Sequence, residues 1–334
     1  MTGLLKSPAA RQVAILVVGA LVLAWLPFVL PEARQAVAVR TLIFAIMAVS
    51  WNIMSGYGGL FSFGHAAFFG IGAYADAYLL VTHGISPWIA MLVGGALAAA
   101  FGGLTAFAAL RYRLAGAYFA LATFAFAQML LLLVSNLGVL KKTKGYNIPI
   151  EADESWAKLQ FAEDSHNYYW IPLGLLTFAL LVNIVLVHSR TGQFVMAIRD
   201  DETAAEALGV PVMRYRLIAV AISAALMAVA GVYYAQYYLY VNPDNAFGGT
   251  VSVQAIVPAV IGGIGTIWGP VIGAAVIGPL SEITASILRD PPPGLGFLED
   301  KSGLDVATYA LLLILIVLFL PRGVFGSLRA RWSR

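Results

Sequence analysis

The sequence predicts an all-α, polytopic membrane protein that crosses the bilayer about ten times. Of its 334 residues, 60% are apolar and 11% are charged, whereas a soluble domain carries about 25% charged residues. The mean hydropathy is +0.84. Only helices and closed barrels satisfy the backbone in lipid, and long apolar runs without period-two alternation select helices.

Residues 13–30 form the first predicted span. This segment also fits a secretory signal, but its apolar core is longer than usual and no small-residue cleavage pattern follows at once, which favours an uncleaved helix. The pair 251–261 and 271–287 either spans fully or forms a re-entrant hairpin. The other predicted spans cover residues 37–54, a third helix to about 80, 88–110, 114–134, 170–187, 216–234 and 306–320.

Two glycine-rich breaks interrupt the apolar pattern. Each is followed by a helix of small residues, at 56–74 and 262–278, which is the pattern of inverted repeats in transporters. The small face after the first break favours close helix packing, or a tightly packed, mobile helix beside a pathway. The glycines of the first break and the small face are Gly56, Gly58 and Gly59, then Ser62, Ala66 and Gly70.

The stretch from 189 to 215 is the main exception to this apolarity. A charged residue at the centre of a membrane helix raises the free energy of membrane insertion by about 2.5–3.5 kcal/mol, so the seven in this stretch would raise it by on the order of 20 kcal/mol. The stretch is therefore predicted to lie in water between two spans. The seven are Arg190, Arg199, Asp200, Asp201, Glu202, Glu206 and Arg214.

A short helix is predicted over residues 200–208. Asp200 or Asp201 caps its N-terminus, and Gly209 ends it before Pro211. A helix of two turns is unstable alone in water, so it is expected to be braced by a partner outside the membrane.

Orientation follows from the basic residues. With the N-terminus in the cytoplasm and ten spans, 12 of the 20 lysines and arginines lie on the cytoplasmic side. The segments 190–215 and 321–334, a basic tail, are then cytoplasmic. The segment 135–169 is external.

Motifs for covalent chemistry are absent from the sequence. There is no Walker loop, no H-E-x-x-H, no G-x-S-x-G and no cysteine, so no catalytic residue and no metal ligand is predicted. His65 is an ionisable group deep in a span, either structural or lining a path, whereas Asp76 and Glu282 are placed nearer the membrane ends. These ionisable groups would allow one function, that of a proton-coupled secondary transporter in which His65 acts with Asp76 or Glu282. We keep it as the alternative to the function that the family resemblance below implies. The candidate path residues are Asn52, Tyr57, Ser62, His65 and Gln254.

Three stretches carry a family resemblance. They are 52–74 (NIMSGYGGLFSFGHAAFFGIGAY), 192–231 with AIRDDE and AAEALG inside it, and 260–274 (VIGGIGTIWGPVIGA), backed by FLPRG at 319–323. The sequence resembles, over nearly its whole length, the M-type membrane permease subunits of branched-chain amino acid ABC importers.

The resemblance implies one permease domain over residues 1–334 in a bacterial inner membrane. It also implies a second permease subunit, two cytoplasmic ATPase subunits that bind ATP and Mg²⁺, and an external solute-binding protein. The chain itself would be no enzyme, would hold no cofactor and would contact lipid but no nucleic acid. The implied ATPase-docking residues are Arg199, Asp200, Asp201, Glu202, Ala205, Glu206, Ala207 and Gly209.

One segment departs from the family pattern. A Gly-rich part of the external loop after span five is replaced at 140–147 by LKKTKGYN. The sequence therefore does not decide whether the substrate is a branched-chain amino acid or one of the solutes that relatives carry, which are urea, short amides and aromatic acids.

Overall fold

The computed structural model describes residues 8–150, 154–162 and 165–289, which form a helical bundle. Two 2-residue strands, β1 (Tyr146–Asn147) and β2 (Tyr240–Val241), pair antiparallel. The helices are α1 (Pro8–Ala24), α2 (Glu32–Trp51), α3 (His65–His83), α4 (Pro87–Arg111), α5 (Ala117–Asn136), α6 (Asn167–His188), α7 (Arg190–Asp200), α8 (Glu202–Ala207), α9 (Val212–Tyr238), α10 (Pro243–Phe247), α11 (Gly249–Gly262) and α12 (Gly269–Arg289).

Seven helical segments of the described chain are long and apolar enough to cross a membrane. About ten spans are therefore not confirmed. Nine predicted spans fall on helices, but α3 and α12 are not among the seven, and 306–320 lies outside the described residues. The seven are Pro8–Phe28, Arg34–Tyr57, Pro87–Arg111, Ala117–Asn136, Asn167–His188, Val212–Tyr238 and Pro243–Gly262.

The helix α3 lies at the centre of the bundle, packed against α4 and α9. It carries His65 and Asp76, and both side chains are fully buried. A helix covered by other helices does not need the hydropathy of one that faces lipid, which explains why α3 is polar for a span. On the other side of the core, α2 packs against α6, α11 and α12.

The two ends of the bundle differ in structure. The α8 end holds α7, α8 and the start of α9. The β-sheet end holds the pair β1 and β2, in which Tyr146 lies opposite Val241. This small sheet joins the long loop after α5 to the segment after α9, and the sequence did not predict it.

The first break follows one π-helical turn, Asn52–Tyr57, that extends α2. The chain turns at Gly58 and Gly59, where φ is +68° at Gly59, and α3 begins at His65. The predicted small face is therefore wrong at Ser62, which precedes the helix, while Ala66 and Gly70 lie in α3.

The start of α3 lies deep in the bundle. His65 Nε2 is 3.0 Å from the hydroxyl of Ser223. Ser223 is the twelfth residue of α9, so it lies about 17 Å from the start of that helix at 1.5 Å per residue. Irregular backbone at such a depth is tolerated where protein surrounds it or where it lines a water-filled cavity.

Side chains satisfy the backbone of this irregular segment. Trp51 Nε1 donates to the carbonyl of Ser62 (2.8 Å), and Ser55 Oγ donates to the carbonyl of Leu60 (3.0 Å). The Ser252 hydroxyl on α11 accepts from the Ala66 amide (2.9 Å). These bonds replace the helical ladder that the glycines interrupt.

The second break, between Gly262 and Gly269, lies at the same α8 end as the first. Asn52 Nδ2 donates to the carbonyl of Thr266 (2.9 Å), and the Gly265 amide donates to Asn52 Oδ1 (2.8 Å). The two breaks therefore contact each other, as the paired broken helices of repeat-built transporters do. The inverted repeat itself stays a prediction.

Candidate functional site at the α8 end

Two short helices, not one, form from the charged stretch. Ser189 Oγ accepts from the Gly192 amide (3.1 Å) and caps α7. Asp201 interrupts the chain after α7, and its Oδ1 accepts from the Ala204 amide (2.9 Å) to cap α8. The predicted cap is confirmed at Asp201, and the helix begins two residues later than expected.

The C-terminal end of α8 has the geometry that its glycine suggests. Gly209 has φ +80°, a Cβ added there would meet no atom within 4 Å, and its amide donates to the carbonyl of Glu206 (2.9 Å). A residue with a side chain would be strained there by its backbone conformation alone.

The faces of α8 differ in exposure. Ala205 is only 4% exposed, and it packs against Ile198 of α7 and Val212 of α9. Its small size therefore serves packing within this chain. Ala207 is exposed, and so is Leu208, at 85%.

The segment that carries Leu208 also carries exposed acidic side chains. Asp200, Glu202 and Glu206 are exposed. Arg216 on α9 binds Glu202 with two hydrogen bonds of 2.7 and 2.8 Å, which ties α8 to α9. Leu208 is thus an exposed apolar side chain in a charged segment, and the docking residues implied by the sequence do not include it. A large apolar residue next to Gly209 in a charged stretch is the signal that could have identified it.

The Arg199 side chain does not lie with Leu208 but reaches the bundle. Its Nη1 donates to the carbonyl of Gly56 (3.0 Å), while its Nε and Nη2 donate to Asp200 Oδ1. A Cβ added at Gly59 would lie 2.7 Å from Arg199 Cγ. The arginine stem therefore packs directly on the glycine turn of the first break.

Asn52 joins the two breaks to each other. Besides its bonds to Gly265 and Thr266, it packs on Gly56, where an added Cβ would lie 2.0 Å from Asn52 Oδ1. We call Arg199, Asn52, Gly56, Gly265 and Thr266 the latch. The latch connects α7 to both breaks.

His65 is held by serines. Its Nδ1 is 3.2 Å from Ser62 Oγ, and its Nε2 is 3.0 Å from Ser223 Oγ. Ser223 Oγ in turn donates to the carbonyl of Ser50 (2.7 Å), and Ser50 Oγ donates to the carbonyl of Ser223 (2.6 Å). The imidazole thus joins α3 to α9 near α2.

The carboxylates named in the proton-relay alternative lie elsewhere. Glu282 pairs with Arg40 at 3.2 Å, and Asp76 accepts from Gln236. Asp76 is fully buried, because neighbouring helices enclose it. Its predicted place near a membrane end stays a prediction. The described contacts do not join His65 to either carboxylate and do not support the alternative.

The remaining candidate path residues differ in access. Asn52, Tyr57 and Ser62 are buried inside this chain, as His65 is. Gln254 on α11 is half-buried. Within the described residues, no group of three or more His, Asp or Glu side chains could hold a metal ion.

Comparison with known proteins identifies similar chains. The family model described as branched-chain amino acid transport system / permease component matches residues 34–326. Two relatives named high-affinity branched-chain amino acid transport system permease protein LivM are 28% identical. The one from Escherichia coli K12 aligns over 81% of this chain and 67% of its own length, and the one from Salmonella typhimurium over 80% and 66%.

A third relative, the permease protein LivH of the same transport system from Salmonella typhimurium, is 27% identical over 85% of this chain and 91% of its own length. The chain spans about two thirds of the length of the two LivM relatives. No solved structure matches it.

Proposed function

The chain belongs to the family of permease components of branched-chain amino acid transport systems, and from this premise we propose that it is a membrane permease subunit of an ATP-driven importer. Its cargo is a branched-chain amino acid or a related small polar solute. The complex contains a second permease subunit, two cytoplasmic ATPase subunits that bind ATP and Mg²⁺, and an external solute-binding protein. It lies in a bacterial inner membrane.

The observation that carries this proposal is the exposed tip of α8. A helix of six residues is marginal by itself, yet here the Asp201 cap, the buried Ala205 and the Arg216–Glu202 pair fix its position. The fixed helix presents Leu208 to the surroundings. Protein interfaces are typically centred on apolar anchor residues that are held in place before binding, with polar residues around them.

The latch supplies the route from the ATPase to the membrane. In this proposal a movement of α7 and α8 is transmitted through Arg199, which binds the carbonyl of Gly56 in the π-helical turn and packs on Gly59 in the first break. Because Asn52 holds the second break, both breaks move with the docking element. Glycine-rich turns change their backbone angles at low cost, which suits them as hinges.

Burial divides the candidate path residues by role. Asn52, Tyr57, Ser62 and His65 are enclosed in this chain, so in this proposal they hold the helices around the breaks in place. Gln254 keeps access to the surface of α11 and is the residue of this set that can meet solute.

Co-purification tests the assembly. The tagged chain is extracted from its native membrane, and bound proteins are identified by mass. The proposal requires an ATPase subunit and a second permease subunit in the eluate. Recovery of the chain without an ATPase subunit, under conditions in which it stays folded, would contradict the proposal.

Variants then locate the docking surface. Leu208→Asp should insert normally but lose bound ATPase subunit and uptake, whereas Leu137→Asp, at a half-exposed leucine before β1, should keep the ATPase. Gly209→Val, at φ +80°, and Ala205→Trp, which displaces α8 from Ile198 and Val212, should also uncouple. Parental activity in all three α8 variants would place docking elsewhere.

Cysteine labelling tests the orientation. The chain lacks cysteine, so single cysteines at Thr191 and Ser155 report on their own positions. In intact cells, an impermeant thiol reagent should label position 155 and spare position 191. The reverse pattern would invert the topology.

Collapse of the proton gradient at constant ATP separates the proposal from a proton-coupled carrier. Uptake should continue, because both His65 nitrogens are engaged with serine hydroxyls. Immediate loss of uptake would favour the secondary transporter.

A further inference from the structure

A fully buried carboxyl group lies where α3 and α9 are in backbone contact. A Cβ added at Gly72 would lie 2.0 Å from the carbonyl oxygen of Ala228, and one added at Gly231 would lie 2.0 Å from that of Phe69. Asp76 is one turn beyond Gly72 toward the β-sheet end, and it is 0% exposed. The close approach of the helices leaves little room for water around it.

Asp76 has one hydrogen-bond partner among the described residues. Gln236 Nε2 donates to Asp76 Oδ2 at 2.6 Å. The other two oxygens of this pair, Asp76 Oδ1 and Gln236 Oε1, are buried and have no hydrogen-bond partner in the described chain. Two neighbouring buried acceptors therefore lack a donor, which is costly in a protein interior.

The charges around Asp76 do not compensate an anion. The ionisable residues on the described elements packed nearby are mainly tyrosines, and α4 has no ionisable residue before Arg111. Arg40, on α2, is engaged with Glu282. An unpaired carboxylate enclosed by helices is strongly disfavoured. The groups to consider are Tyr74, Tyr78 and His83 on α3, Tyr233 and Tyr237 on α9, Tyr146 on β1 and Asp244 on α10.

We propose that Asp76 is a proton-binding site: it carries a proton on Oδ1 at neutral pH and donates it to Gln236 Oε1. The two side chains then form a cyclic acid–amide pair with two hydrogen bonds, one from each partner. A single proton satisfies both acceptors and removes the buried charge. The neutral pair fixes α3 to α9, and its proton stays in place during transport.

Infrared spectroscopy on the full chain in lipid vesicles tests this directly. Protonated carboxylic acids and carboxylates absorb in separate regions, and ¹³C at the aspartate side-chain carboxyl shifts the aspartate bands away from those of lipid esters. The labelled chain at neutral pH should show one isotope-sensitive band in the protonated-acid region. Absence of that band would overturn the proposal.

Three variants assign the band. Asp76→Asn should abolish it and keep the melting temperature within a few degrees of the parent, because an amide–amide pair retains two hydrogen bonds. Asp244→Asn, at an exposed aspartate, should leave the band unchanged. Gln236→Leu should shift the band, since its acceptor is lost, and lower the melting temperature. A band that persists unchanged in Asp76→Asn or in Gln236→Leu would refute the pair.

Discussion

The two glycine-rich breaks are both irregular segments between helices, and different contacts stabilise them. In the first, between Tyr57 and His65, side chains from α2, the π-helical turn and α11 bind the backbone of an irregular segment and of the start of α3. In the second, α11 and α12 pack on each other directly. A Cβ added at Gly262 would lie 1.7 Å from the carbonyl oxygen of Gly269, and one added at Gly273 would lie 1.8 Å from that of Pro258.

The difference shows what each break depends on. The first depends on polar side chains and should be sensitive to the loss of single hydrogen bonds. The second depends on the absence of side chains, and Thr266 closes its turn by bonding Gly263 and Gly269. It should be sensitive to added volume. The latch connects the two, so damage to either is expected to reach α8.

Added volume in the second break should have the largest effect on stability. In Gly273→Ala the new methyl meets backbone, not a flexible side chain, so α11 and α12 must separate. Overpacking costs about 1–3 kcal/mol and sometimes more, and we expect at least the upper value. Thermal unfolding in detergent measures it. The matched control is Gly174→Ala on α6, which has open space and should be neutral or slightly stabilising.

Removing the Asn52 side chain, which joins the two breaks, should have the second-largest effect on stability. Asn52→Ala leaves the Gly265 amide and the Thr266 carbonyl without their partner. A buried unsatisfied group costs about 1–3 kcal/mol, and these two groups are half-buried, so a total loss of about 1–3 kcal/mol and reduced uptake are expected. Asn136→Ala, at an exposed asparagine that bonds its own helix, serves as control. Equal melting temperatures for the two variants would show that the link is unimportant.

A single bond of the first break should matter less. Ser252→Ala removes the acceptor of the Ala66 amide at the start of α3, at an expected cost of about 1–2 kcal/mol. Ser135→Ala is the comparison, because its hydroxyl donates to the carbonyl four residues earlier in α5. If Ser252→Ala unfolds no earlier than Ser135→Ala, side-chain bonding does not hold this break.

Removing Arg199 should have the smallest effect on stability and still impair transport. Its side chain is about one third exposed and its bond to the Gly56 carbonyl is only partly buried, so water can replace that bond and Arg199→Ala should cost about 1 kcal/mol. Allosteric coupling of about 1–3 kcal/mol corresponds to roughly 5–150-fold, and we expect uptake to fall within that range while the ATPase subunit stays bound. Arg190→Ala, at an exposed arginine, removes the same charge and should transport normally.

Elements governed by local chemistry were predictable from the sequence. Seven predicted spans coincide with helices that are long and apolar enough to cross a membrane, and both breaks follow from their glycines. Asp201 is a confirmed cap, and Gly209 has the left-handed backbone that its position after α8 suggests. The sequence did not predict the π-helical turn or the start of α3 at His65, because both depend on the residues that surround the first break.

Contacts between distant residues were decided only by tertiary structure. Asn52 and Thr266 are 214 positions apart, and no local periodicity indicates that they meet. The same holds for the inward face of Ala205, for the turn of Arg199 toward Gly56 and for the enclosure of Asp76 by α9. The sequence alone determined a helical membrane protein with two glycine breaks and a charged, water-exposed helix, since hydropathy and backbone preference act over a few residues. Only packing decided which polar groups meet, because each buried donor or acceptor must find its partner wherever the fold places one.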